Sequence, residues 1–117
     1  MIYGIGTDIV KVERIEKAKE SFFERIYTER EREELKENPQ RLAGNFAAKE
    51  AVVKALGTGF REIAPIDIEI LRNSEGKPYA VLNNSAEQYN FVTIHVSITH
   101  EKDYAAAFAV AERRDNN

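Results

Sequence analysis

Two carboxylates stand among side chains too small to hide them, and they are where this sequence could do chemistry. Asp8 follows Gly4 and Gly6 at intervals of two within Ile2 to Val10, and Glu50 sits among Ala47, Ala48 and Ala51 with Lys54 four residues further on. Carboxylate oxygens of this kind suit a hard cation, and Mg²⁺ held by one or two carboxylates completes its octahedron with water and substrate phosphate. Lys54 would then neutralise phosphate oxygens. His100, closing an apolar run, can either contact phosphate or cap a turn. Plainer readings stay open on the residues alone: Glu50 and Lys54 as an i, i+4 ion pair, and Asp8 as a solvated residue at a bulge or strand end. Asp67 and Glu69 are possible oxygen ligands too, although their alternation reads as the polar face of a strand.

Several other chemistries lack their parts. The chain contains no Cys, which removes thiol catalysis and disulfides, and no Ser or Thr lies in a nucleophile elbow. The two histidines, His95 and His100, would fall on opposite faces of a continuing strand, a poor start for a zinc site. Gly4-x-Gly6 is not a dinucleotide fingerprint, because the third glycine is missing. A net charge of −3 argues against general nucleic-acid binding, while leaving room for a local basic patch.

The elements that must position these groups follow from periodicity. Ile2 to Val10 reads as a strand with Gly4, Gly6, Asp8 and Val10 on one face and Tyr3, Ile5, Thr7 and Ile9 on the other. Val12 to Lys19 reads as a short amphipathic helix, after which Phe22, Phe23 and Ile26 enter the core. Thr28 and Glu31 form a capping box for the next helix, and Pro39 either ends it or precedes another. Leu42 to Leu56 is a long central helix, stopped by Gly57 and Gly59. Residues 66–71 alternate as a strand, residues 73–78 turn, and Tyr79 to Leu82 returns as the hairpin partner. Ser85 to Tyr89 makes one helical turn. Phe91 to Thr99 is a strand with Val92, Ile94, Val96 and Ile98 inward, and Tyr104 to Ala111, though rich in alanine, reads as its closing hairpin strand. There are no internal repeats or linkers. The expectation is one compact α+β domain over residues 1–117, an antiparallel sheet packed on a long central helix. A chain of 117 residues has a modest core and gains burial by oligomerising. With no spanning apolar stretch and no signal-like start, a cytoplasmic location without membrane contact is expected.

Taken together, Gly4-Ile5-Gly6-Thr7-Asp8-Ile9-Val10, Phe46-Ala47-Ala48-Lys49-Glu50-Ala51, Lys54-Ala55-Leu56-Gly57-Thr58-Gly59, Gly76-Lys77-Pro78-Tyr79 and His95-Val96-Ser97-Ile98-Thr99-His100 resemble one family. It is the holo-acyl-carrier-protein synthases, the small bacterial-type branch of the 4'-phosphopantetheinyl transferases, and the match covers nearly the whole chain. The resemblance implies transfer of 4'-phosphopantetheine from coenzyme A to a serine of acyl carrier protein in fatty acid biosynthesis, releasing adenosine 3',5'-bisphosphate. It implies that Asp8 and Glu50 bind Mg²⁺ with the coenzyme A pyrophosphate and that Lys54 contacts that pyrophosphate. It further implies that Gly57 and His100 belong to the coenzyme A site and that Arg14 meets the acidic carrier. Homotrimers with sites at subunit interfaces are implied as well. The serine proton would pass to Glu50, directly or through a water on the metal.

The sequence also departs from the family pattern. Asn45 replaces an arginine, so a phosphate contact is expected to be lost unless Arg41, one turn earlier, reaches the same place. Val53 stands where a small or hydroxylated residue is common, Ser21 replaces a basic residue, and the segment Asn83 to Asn90 is short. Two rival readings follow: a metal-dependent nucleotide hydrolase, which would act without carrier protein, and a carrier-binding module that has lost catalysis.

Overall fold

A computed structural model describes residues 1–114. The strand predicted at the start is β1, Ile2–Lys11, and it runs antiparallel to β5, Tyr104–Arg113, which lies between β1 and β4, Val92–His100. Asp8 stands opposite Ala107, which in turn stands opposite Ile98. The alanine-rich segment is therefore the middle strand, as the short Glu101-Lys102-Asp103 connection predicts. Its alternate residues Ala105, Ala107, Ala109 and Ala111 are buried, so the strand turns a nearly flat surface to the helix above it.

That helix is α4, Pro39–Leu56. It begins three residues before the predicted start because Pro39 occupies its first turn, where a missing N–H costs nothing, and the Asn38 side chain accepts from the Arg41 amide at 3.1 Å. It ends at Gly57, whose φ of 81° closes the helix in the left-handed conformation. Helix and sheet meet backbone to backbone at β1. A Cβ on Gly4 would lie 1.9 Å from the Ala55 carbonyl oxygen, and one on Gly6 would lie 2.1 Å from that of Ala51. Glycine at these two places is a requirement of the helix–strand distance.

Three short helices bridge β1 and α4: α1, Val12–Glu16, α2, Glu20–Ile26, and α3, Glu29–Leu35. The first ends before the predicted Lys19, and α2, where only core entry is expected from the sequence, occupies the following residues. The capping box at Thr28 and Glu31 is present. The hairpin forms a separate two-stranded sheet of β2, Ile68–Arg72, and β3, Pro78–Leu82. Its first strand is shorter than the alternation suggests and is buried from Ile68 to Leu71, because α3 covers the side read as polar. Asp67 and Glu69 act as structural acceptors there: Asp67 accepts from Asn84 and Ser85, and Glu69 from Thr28 and Asn83. Asn84–Tyr89 is a 3-10 segment where a helical turn is predicted.

Candidate active site

The close approach of β1 to α4 decides what Asp8 meets. With Gly4 and Gly6 letting the strand lie against the helix, Asp8 on the same face comes to the last turns of α4, and Lys54 Nζ reaches its Oδ1 at 3.2 Å. Lys54 also donates to the Thr7 carbonyl at 3.0 Å. It thus pairs with the strand rather than with Glu50, and among the described residues Glu50 has no ion-pair partner. Glu50 is nevertheless beside the pair. Burial raises its pKa first, the Asp8 charge raises it further, and Lys54 and Arg14 pull it back. The sequence therefore brings Asp8, Glu50, Lys54 and Arg14 into one neighbourhood from β1, α4 and α1. Arg14 is exposed, with its guanidinium stacked over the Phe46 ring at 5.1 Å. Gly57 follows as the cap of the same helix.

Two carboxylates repelling each other beside one lysine form a donor set that a hard cation would relieve, and Mg²⁺ accepts one or two protein carboxylates with the rest from water and phosphate. No group of three or more metal-ligating side chains occurs among the described residues, so the further ligands would have to come from outside the protein. The residues present fit such an ion. Asp8 and Glu50 are half-buried and Lys54 is exposed, and a cavity of about 400 Å³ lined by Ile15, Phe23, Arg32 and Leu42 contains none of them.

His100 is not part of this cluster. It ends β4, on the far side of β5 from Asp8, and lines a smaller cavity of about 180 Å³ with Gln40, Arg41, Gly44, Arg72 and Ile98. His95 points to the other face of the sheet and pairs with Glu112 at 3.0 Å.

The structure also revises the expectation for Asn45. The residue is fully buried, and a network that periodicity could not foretell surrounds it. Lys49, equally buried, donates to Glu31 at 2.7 Å and to the carbonyls of Ile26 and Pro65. Burial lowers the Lys49 pKa, and Glu31 opposes that. Asn45 donates to the other Glu31 oxygen at 3.0 Å. A lysine and an asparagine inside an alanine-rich helix were the available signal, since either must find partners when the helix is buried all round. Val53 is 1% exposed, a core residue without a free face.

The sequence model of the 4'-phosphopantetheinyl transferase superfamily matches residues 4–109. A holo-[acyl-carrier-protein] synthase of Lachnoclostridium phytofermentans is 48% identical over 96% of this chain and 97% of its own length. One from Fusobacterium nucleatum is 46% identical over 94% of this chain and 98% of its own. Among solved structures, the Bacillus anthracis synthase in complex with CoA (3',5'-ADP) superposes with a TM-score of 0.86 at 41% identity, covering 97% of this chain and 99% of that one. The Helicobacter pylori synthase in complex with coenzyme A gives 0.85 at 33% identity, covering 92% and 99%.

Proposed function

The chain belongs to the 4'-phosphopantetheinyl transferase superfamily, among the holo-acyl-carrier-protein synthases, and on that premise we propose that it transfers 4'-phosphopantetheine from coenzyme A to a serine of apo acyl carrier protein. The products are holo carrier protein, which serves fatty acid biosynthesis, and adenosine 3',5'-bisphosphate. One observation carries the reading to these residues: Lys54 meets Asp8 at 3.2 Å while Glu50 stands close enough for the Asp8 charge to raise its pKa.

In the proposed mechanism Asp8 and Glu50 would hold Mg²⁺, which would supply charge neutralisation on the pyrophosphate and the leaving bisphosphate. Lys54 neutralises pyrophosphate oxygens and keeps the Asp8 carboxylate in place. The carrier's serine oxygen attacks the phosphorus bearing pantetheine, the new P–O bond forms, and the bond from that phosphorus to the bridging oxygen breaks. No protein nucleophile is needed, since positioning and charge do most of the work in phosphoryl transfer. Glu50 receives the serine proton, directly or through an intervening water, a role that suits a carboxylate whose pKa burial and the Asp8 charge raise above the ordinary glutamate value. Exposed Arg14, on the rim of the same site, receives the acidic carrier.

We further propose that residues 1–117 work as one transferase domain in a cytoplasmic homotrimer with the sites between subunits. Two features support the trimer. The sheet face turned away from α4 leaves Ile5 61%, Ile9 65% and Phe108 46% exposed, an uncovered apolar surface on strands that should have a cover. His100 and Asp8 lie on strands either side of β5 and two residues out of register, roughly 12 Å apart from two strand spacings and the rise of two residues. A single substrate reaches both most simply where two copies meet. No helix among the described residues is long and apolar enough to cross a membrane.

The test is intact-mass spectrometry of an apo acyl carrier protein incubated with this chain, coenzyme A and Mg²⁺, with EDTA in a parallel sample. A gain of one phosphopantetheine mass that EDTA prevents is expected, and Asp8→Ala or Glu50→Gln should reduce its rate by about 100-fold or more. Release of bisphosphate without carrier would favour the hydrolase, and carrier binding without transfer the inactive module.

A further inference from the structure

The residue before Glu50 is a lysine with no access to solvent, and its ammonium group is bonded in three directions. Lys49 Nζ donates to Glu31 Oε1 at 2.7 Å, to the Pro65 carbonyl at 3.1 Å and to the Ile26 carbonyl, which uses all of its donors. Glu31, equally buried, is filled as well: Oε1 also accepts from the Thr28 amide at 3.1 Å, and Oε2 accepts from Asn45 Nδ2 at 3.0 Å and the Ile70 amide at 3.2 Å. Asn45 also donates to the Ile70 carbonyl at 2.8 Å and accepts from Arg72 Nη2 at 2.9 Å. Bonds of fixed direction thus tie α4 to the end of α2, the start of α3 and β2.

Stability alone does not call for such a pair. Taking two charges out of water costs about as much as their attraction returns, and apolar side chains of similar volume hold a core as well or better. Direction is what the apolar alternative lacks. The opposite flank of α4 shows why direction matters here. Ala51 and Ala55 lie against Gly6 and Gly4 of β1, and Ala47 continues their stripe one turn earlier. Side chains this small let helix and strand approach closely, yet they offer few ridges to stop the helix turning or sliding. Lys49 leaves the helix about half a turn away from Ala51, so its three bonds grip α4 from the face that the alanines cannot. From Leu42 to Leu56 every residue is buried except Glu50 and Lys54. A small rotation of α4 would therefore swing its one open stripe away from Asp8.

We propose that Lys49, anchored on Glu31, is a positioning residue: it fixes the rotation and height of α4 so that the Glu50 carboxylate stands beside Asp8. The inference rests on the transferase reading, in which those two carboxylates act together, and adds to it a residue that acts only through its neighbour.

A double-mutant cycle between positions 49 and 50 tests this. Transfer is scored by intact mass at saturating coenzyme A, carrier protein and Mg²⁺, and folding of each variant by its melting temperature. Lys49→Met keeps the stem and removes the ammonium; it is expected to lower kcat about tenfold or more, since a misplacement of about 1 Å can cost about 100-fold. With Glu50→Gln already in place, the same substitution is expected to change the residual rate by less than about twofold, because the group being positioned has gone. The fall in melting temperature should be the same in both backgrounds, which separates the network's share in stability from its effect on rate. Should Lys49→Met fail to fold, Glu31→Gln, close to isosteric, runs the same cycle with the same expectation. A folded Lys49→Met with the wild-type kcat overturns the proposal, as does an equal loss in the two backgrounds, the result of a purely structural role. A wild type that transfers nothing removes the transferase reading and this proposal with it, whereas failure of the cycle in an active enzyme leaves that reading standing.

Discussion

Burial and the Asp8 charge make Glu50 hold its proton to higher pH than it would in an unfolded chain. Ionising it therefore subtracts stability from the native state. The loss is absent below the ordinary glutamate range, about pH 4, and complete above the raised folded value. Glu50→Gln should melt at a higher temperature than wild type at neutral pH, with the gap closing toward about pH 4; a gap that persists in acid would place its cause elsewhere. Added Mg²⁺ should narrow the neutral-pH gap by stabilising the wild type alone. Arg14→Glu should raise KM for carrier protein about tenfold, and for coenzyme A far less, in steady-state assays. Because Arg14 also acts on Glu50, equal effects on both would move it from carrier docking to the reacting groups. That Asp8 and Glu50 deserve notice was legible because carboxylates are costly choices among glycine and alanine, and the structure brings the two together beside Lys54. The role of Asn45 was not legible, since it depends on Glu31, Ile70 and Arg72, which only the tertiary fold brings to it.

Among the elements, β1 and α4 set the position of the site through two glycines. Gly6→Ala would drive a Cβ to 2.1 Å from the Ala51 carbonyl oxygen and 2.8 Å from the Ala55 nitrogen, both backbone. The expected loss is about 3 kcal/mol, read from the urea midpoint. A variant as stable as wild type would show that the strand does not lie so close. Most elements could be read from periodicity: the two faces of β1, the capping box, the central helix and the last hairpin all occur as predicted. The failures share a cause. The α2 helix carries Phe22, Phe23 and Ile26 over barely two turns, too short for a repeat to register, and β2 alternates polar and apolar residues although α3 buries its polar side. In both, partners distant in sequence overrule the local pattern.

For the whole molecule, the outer face of the three-stranded sheet is the exposed apolar surface on which the proposed trimer rests. In sedimentation equilibrium the wild type is expected to behave as the proposed trimer at micromolar concentration, and Phe108→Glu at the centre of that face should convert it to monomer, with turnover falling alongside assembly. A monomeric wild type that transfers phosphopantetheine at full rate would refute the interfacial site. Length and composition already suggest oligomerisation, whereas the surface proposed for it depends on knowing that Ile5, Ile9 and Phe108 share the side α4 leaves bare. The strand order has a temporal consequence as well. On the ribosome β1 is made first, yet its partner β5 is the last strand to emerge. The strand bearing Asp8 must wait for its hydrogen-bonding partner until the other described elements have been made, so every nascent chain passes through an interval in which α4 can fold while β1 is still unpaired.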